Sequence, residues 1–322
     1  MSVVPRIFYW VGGETISGGV KHCYEHVDVL NEGGFDAYVL HLTGNRCAWF
    51  ENQTRIIDGP SFWNLYDQKR DYLVLSEPMG RLIPSLPGKK VVFNKNLYIG
   101  FNALGVDQRP IRYPYVGPNV VAAFAVSDHN YQSLKFAFPE TKLFRMYGRI
   151  DCSTFAYQPL SNKKRRIALV AKSEEPLSVL YHILNARAQT GLNNLSDYEW
   201  IFLRGYTHKQ VADILSESLI LISLSTYEGL PRTVLEAMAC GCIVIGYGAG
   251  ALKECLIPEY QLEPDDFLTM ARRIEDITKI FPDNIDSWTP YTMAARNVAE
   301  AFTVERQRKY VIEAWDQILG SE

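Results

Sequence analysis

Short apolar runs alternate with stretches of helical character through both halves of the chain, the pattern of parallel strands joined by crossover helices. The spacing predicts strands near Ile7–Val11, Ala37–Leu42, Tyr72–Leu75, Val91–Asn94 and Ala122–Val126. A second series follows near Ile167–Ala171, Trp200–Leu203, Leu219–Leu224 and Cys242–Gly246, and helices fill most of the gaps. Between the two series, Arg149–Arg166 carries Pro159, Ser161, Asn162 and the basic cluster Lys163-Lys164-Arg165-Arg166, which reads as a solvated linker with no catalytic part. The expected fold is therefore α/β, with parallel sheets in two domains, residues 1–160 and 161–322. From Pro264 onward the pattern is helical, ending in a helix from about Val304 to Leu319.

The segment between the last two predicted strands holds the most chemistry. It reads Glu228-Gly-Leu-Pro-Arg-Thr-Val-Leu-Glu236, then Ala-Met-Ala-Cys-Gly241. Pro231 suits a first helical position, where a missing N–H costs nothing, and Gly241 suits the position just past a helix end. The helix so bounded is short and apolar nearly all round, with Val234, Leu235, Ala237, Met238 and Ala239, so it belongs inside the molecule. Glu236 is the exception, and a carboxylate there needs a partner or a ligand. A structural ion pair is one solution. Glu228 lies in a strand-to-helix turn, at the carboxyl end of a strand, where open α/β sheets bind ligands. Gly229 lets the backbone approach such a ligand, and the N–H groups of the first helical turn favour phosphate. Two acids flanking an anion site suit the hydroxyls on either side of a diphosphate, which describes a nucleotide sugar.

Glu-x7-Glu between two strands, continued as Glu-Ala-Met-Ala-Cys-Gly-Cys-Ile-Val-Ile and then Gly248-Ala-Gly250 with Glu254, resembles the donor site of the retaining glycosyltransferases called group 1, which have the GT-B fold. The likeness is dense from about Gly205 to Glu254. It implies two Rossmann-like domains facing a cleft, the first on the acceptor side and the second binding the nucleotide sugar, with the last helix packing back on the first. It implies that Glu228 contacts the donor sugar and Glu236 the ribose, with Gly229, Leu230 and Pro231 forming the turn between them. It also implies that Gly18 and Gly19, in the glycine-rich turn after the first strand, face the donor. The family places an Arg after the first strand of the second domain and a Lys a few residues later. Here Lys172 stands in the first position and Ser178 near the second, with Arg204 as a candidate replacement cation. Where some members have a His in the first domain, this chain reads Asn94-Lys95-Asn96, so Asn94 and Asn96 become candidate sugar contacts, and a plain polar turn is the alternative. The resemblance implies transfer of a glycosyl unit from a nucleoside-diphosphate sugar to a hydroxyl of a carbohydrate or glycoconjugate, with retained configuration, no metal and no other cofactor.

Composition narrows the field further. The 322 residues are 47% hydrophobic and 21% charged, with a formal net charge of -3 and no long basic tract, which argues against nucleic acid as a partner. The six cysteines show no zinc spacing and read as reduced packing residues. No apolar run approaches the roughly 20 residues of a membrane span, so the expected location is cytoplasmic, with peripheral membrane contact left open. His22, His26, His41 and His129 fall in no reactive motif, and no Asp-x-Asp occurs. The aromatic residues Trp49, Phe50, Phe62, Trp63 and Tyr66 suit packing beneath a loop or stacking on sugar rings. Two competing functions remain. Gly246-Tyr-Gly248-Ala-Gly250-Ala251 fits the phosphate turn of an NAD-dependent oxidoreductase, although Pro258 breaks the helix it should open. A non-catalytic nucleotide-sugar-binding protein, or a relative that hydrolyses or epimerises such a sugar, fits the missing second cation.

Overall fold

The computed structural model describes residues 4–106 and 111–320. The chain forms two compact units, Met1–Arg149 with Val304–Glu322, and Ile150–Thr303. The division after Arg149, rather than at 160, follows from pairing. The Ile150 N–H donates to the Phe302 carbonyl and Phe155 is buried in the core of the second unit.

Unit 1 holds strands β1 (Arg6–Trp10), β2 (Asp36–Leu40), β3 (Ile56–Ile57), β4 (Tyr72–Ser76), β5 (Lys89–Asn94), β6 (Val120–Ala125) and β7 (Leu143–Arg145). They form one parallel sheet in the order β3-β2-β1-β4-β5-β6-β7. Helices α1 (Gly18–Glu32), α2 (Gly59–Leu65), α3 (Leu97–Asn102) and α4 (Asp128–Ala137) connect them. Successive strand residues serve opposite faces. Phe8, Leu73 and Val92 pack with Phe62 and Leu134, while Tyr9 and Phe93 meet His26 of α1.

Unit 2 holds β8 (Lys164–Val170), β9 (Glu199–Phe202), β10 (Ser218–Ser223), β11 (Ile243–Tyr247) and β12 (Gln261–Leu262), parallel in the order β12-β11-β10-β8-β9. Its helices are α5 (Glu175–Gln189), α6 (His208–Glu217), α7 (Arg232–Ala239), α8 (Phe267–Ile280) and α9 (Thr289–Glu300). Ile220, Ile222, Ile243 and Ile245 pack with α5 and α8, whereas Leu221 and Val244 pack with α6, α7 and α9. Both faces are covered, so the strands read as unbroken apolar runs.

Helix α10 (Val304–Leu319) returns to unit 1. Trp315 is fully buried there and donates to the Tyr9 hydroxyl at 3.1 Å, while Gln307 donates to Glu25. Among the described residues, no helix is long and apolar enough to cross a membrane.

The basic cluster Lys163-Lys164-Arg165-Arg166 lies inside unit 2, at the start of β8, and is structural rather than a solvated linker. Lys163 is buried and its Nζ donates to the carbonyls of Leu215, Ser216 and Cys240, and Arg166 pairs with Glu199 and Glu217. Gly241 ends α7 with φ at 80°, and a Cβ there would lie 2.5 Å from the Gln158 carbonyl oxygen. Gly241→Ala is expected to destabilise the protein by about 1–3 kcal/mol from backbone strain alone, before the clash is added, and a denaturant titration measures it.

Candidate functional site

Strands β8 and β10 are neighbours, and the residues just past their carboxyl ends carry the first pair of charges. The Leu224 N–H donates to the Val170 carbonyl, which extends the pairing by one residue and holds the two exits together. Lys172 leaves one exit and Glu228 the other, with Nζ 3.4 Å from Oε2. The side chain of Glu228 is only 15% exposed, against 44% for Lys172. Burial raises the Glu228 carboxyl above its ordinary range, while Lys172 and then Ser225 pull it back down. A carboxylate so placed is a strong acceptor for a hydroxyl, and the ammonium beside it is available to an anion.

Between Glu228 and α7 the chain makes a tight turn, in which the Arg232 N–H donates to the Leu230 carbonyl. Pro231 precedes the helix with φ -80° and ψ 68° instead of occupying its first position, as the sequence had suggested. Its carbonyl then accepts from the Leu235 N–H, opening the helical ladder. No side chain caps α7, so the N–H groups of Thr233 and Val234 in its first turn stay available to a ligand.

Glu236 lies one turn along α7 and is buried. Its Oε1 is 3.7 Å from Nε2 of His208 and 4.0 Å from Nε of Arg232. Both separations exceed hydrogen-bonding length, so neither base locks the carboxylate. His208 is held as the first residue of α6 by a capping box between Thr207 and Gln210, and its ring meets the edge of Phe155. Neither His208 nor Arg232 was singled out from sequence. Arg232 was visible as the i-4 neighbour of Glu236, but His208 reaches the site only through the fold.

The remaining candidates separate. Arg204 is exposed, donates to Glu174 at 2.7 Å and lies over the Phe202 ring, a surface arrangement in place of the anion-facing one expected. In unit 1, Gly18 and Gly19 open α1, where the Ser17 hydroxyl accepts from the Gly19 N–H. A Cβ on Gly19 would lie 3.0 Å from Cε of Lys95, which itself donates to Ser76 and pairs with buried Glu77 at 3.4 Å. Asn94 is fully buried, donating to the Tyr115 hydroxyl and accepting from Asn130, and Asn96 caps α3 by accepting from the Ile99 N–H. Both asparagines are therefore employed in holding unit 1 together. The histidines of α1 serve packing as well: the rings of His22 and His26 meet at 4.7 Å, and burial keeps His26 neutral.

After β11, the glycine-rich stretch leads into a single turn, Gly250–Glu254, and not into the long helix a dinucleotide site requires.

Residues 194–281 match the family model described as "Glycosyl transferases group 1". This range spans α6, β10, the Glu228 turn, α7 and β11. Residues 194–281 are thus similar to the group 1 glycosyltransferases, and the chain has the GT-B fold. It is similar to the alpha-1,6-glucosyltransferase of Actinobacillus pleuropneumoniae serotype 7 (strain AP76), at 22% identity over 250 residues covering 75% of this chain and 72% of the relative. Its fold is that of sucrose-phosphate synthase from Thermosynechococcus elongatus, with a TM-score of 0.70 at 14% identity over 99% of this chain and 100% of that one. Anabaena HepE, solved in complex with UDP, gives 0.65 at 13% identity over 98% and 100%. As a glycosyltransferase, the protein moves a sugar from a nucleotide sugar to an acceptor, and Glu228, Lys172 and Glu236 are candidates for handling that donor.

Proposed function

We propose that this glycosyltransferase moves a hexose from a UDP-sugar to a hydroxyl of a glycan or glycoconjugate, with retained anomeric configuration, without a metal, and in the cytoplasm. The observation that carries this reading is the Lys172–Glu228 pair at the exits of neighbouring strands, beside an uncapped helix start and with Glu236 one turn further on. UDP is the ligand of the HepE structure, and a hexose is what the Actinobacillus relative is named for moving. That name also states an α linkage, and an α linkage formed from an α-linked nucleotide sugar keeps its configuration.

In the proposed step the bond from C1 to the β-phosphate oxygen breaks with its electron pair going to the phosphate. The acceptor oxygen bonds to C1 on the same face, and its proton passes to the departing phosphate. Lys172 and the N–H groups opening α7 offset the charge that develops on the diphosphate. Glu228 accepts from a hydroxyl of the sugar and Glu236 from the ribose, with Arg232 and His208 steadying the latter.

Two measurements test this. UDP at about a hundred times its dissociation constant is expected to stabilise the protein by about 2.7 kcal/mol, read as a raised Tm. Proton NMR of the first product formed from an α-linked UDP-hexose is expected to show an α anomeric signal, and a β signal would overturn retention. Slow hydrolysis of the donor without acceptor would set the chain apart from a non-catalytic binder.

A further inference from the structure

The outer edge of unit 2 holds a cavity of about 220 Å³ for which the chemistry above has no use. It lies between the later turns of α5, the loop that follows that helix, and β9, the edge strand of the sheet. α5 begins just past the exit of β8, and Asn185, which lines the cavity, stands ten residues, about 15 Å, further along its axis. The cavity is therefore well down the helix from Lys172 and Glu228.

One wall is held firmly. The loop after α5 is tied to α8, since Asn194 Nδ2 and the Tyr198 hydroxyl both donate to the Thr278 carbonyl, at 3.0 and 3.2 Å. Asn193 Nδ2 donates to Glu275 and to the Leu184 carbonyl, and Arg187 donates to the same Glu275. A wall so fixed needs little ordering when a ligand arrives. On this frame sit side chains that the fold leaves partly open. Tyr181 is 41% exposed, and its ring and that of Trp200 make a right-angled corner, with centroids 5.8 Å apart and planes at 89°. Asn185 and Ser196 line the cavity beside them, and neither side chain hydrogen-bonds another group among the described residues.

The lining selects a ligand class. It contains no Lys, Arg, Asp or Glu, so nothing there answers a phosphate or a metal ion, and a neutral ligand fits best. A purely apolar ligand would leave the amide and the hydroxyl unpaired. Aromatic faces carry negative charge density that suits the C–H groups on the flat side of a sugar ring, while an amide and a hydroxyl suit its O–H groups. The volume falls below the roughly 300–1,000 Å³ of sites that enclose a small molecule, so it suits one unit of a longer chain.

Resting on the function proposed above, which makes the acceptor a glycan or glycoconjugate, we infer that this cavity is a second carbohydrate site, holding one neutral sugar unit of that glycan apart from the donor. The ring seats in the corner made by Tyr181 and Trp200, and Asn185 and Ser196 bond its hydroxyls. Tethering a chain there raises the local concentration of its other units, which favours acceptors several units long over single sugars.

The test titrates the full chain with isomaltohexaose, maltohexaose and chitohexaose by ligand-observed NMR, and with UDP separately. The variants are Tyr181→Ala and Asn185→Ala on α5, where alanine is the best helix former and the Tm is expected to hold. The wild type is expected to bind at least one hexasaccharide, each variant to bind it about tenfold more weakly, and UDP affinity to stay unchanged throughout. Failure of every hexasaccharide to bind a chain that binds UDP overturns this inference and leaves the proposed function standing. Binding that both variants retain in full also overturns it, because the sugar then sits elsewhere. So does a wild type that sediments as a dimer while Tyr181→Ala is a monomer, since a second copy then covers the cavity. Should Tyr181→Ala lower the Tm, Asn185→Ala decides. A wild-type chain that responds to neither UDP nor a UDP-hexose removes the proposed function, and this inference with it, whatever the hexasaccharides do.

Discussion

Glu228→Gln is expected to lower kcat/KM by about 10²–10³-fold while leaving the fold intact, and Glu228→Ala to abolish measurable transfer. The size follows from position. The carboxylate is mostly buried beside Lys172, at the exit of β10, so a hydroxyl bound to it is held in low dielectric where a charged acceptor is worth most. Glutamine keeps the shape and loses the charge, which isolates the electrostatic part of the effect. The same burial fixes the direction of a second readout. Because the folded carboxyl holds its proton more tightly than an unfolded glutamate, the folded state binds more protons across the window between the two pKa values. The contribution of Glu228 to stability is therefore most favourable below the unfolded value and declines as pH rises through the folded one. At pH 7 the charged form is the costly one, so Glu228→Gln is expected to show a Tm equal to or above wild type. Activity follows the opposite course, falling as the carboxylate protonates on the acid side, at a pH above the ordinary glutamate range. A variant with full turnover removes Glu228 from the reaction. One with a lowered Tm at pH 7 shows that its charge holds the fold together.

The sequence and the fold agree best where chemistry and packing coincide. Parallel strands buried on both faces give unbroken apolar runs, so the main strands are legible to within three residues of their ends, the widest gap being the charged start of β8. The strands that escaped notice, β3, β7 and β12, span three residues or fewer at sheet edges and carry no pattern long enough to detect. The segment from Glu228 to Gly241 was legible because its constraints are local: a glycine for positive φ, a carboxylate in an apolar helix, a turn at a strand exit. Asn94 and Asn96 leave two readings open in the sequence for the complementary reason. A polar run after a strand looks the same whether it faces a ligand or caps a helix, and only the positions of Tyr115, Asn130 and the Ile99 N–H decide between them. His208 beside Glu236 is non-local in the same sense, a pairing made by strand order rather than by spacing along the chain.

Lys172→Met is expected to cost about 10²–10³-fold in kcat, and Lys172→Arg to retain activity within about tenfold. Methionine keeps the length of the stem and removes the charge, so the loss measures what an ammonium supplies to a departing diphosphate. Two different roles predict that loss, and they separate in measurement. If Lys172 only steadies Glu228, removing it matters little once Glu228 is already Gln, and the double variant is no slower than Glu228→Gln alone. If Lys172 meets the diphosphate directly, the double variant is slower still, and Lys172→Met weakens inhibition by UDP while Glu228→Gln leaves it near wild type. The second outcome is the one expected. Lys172 is 44% exposed while Glu228 is 15% exposed, so although its Nζ pairs with the carboxylate at 3.4 Å, the three-donor ammonium keeps an open side for an anion. Salt gives a further check. A half-exposed ammonium is screened, so UDP affinity of the wild type should fall as ionic strength rises, and Lys172→Met should flatten that dependence. With Ser178 where a second cation was expected and Arg204 engaged by Glu174, the proposed function leaves the diphosphate to Lys172 and the uncapped start of α7. An engineered Ser178→Lys is then expected to tighten UDP binding, an addition that a site already complete would not register.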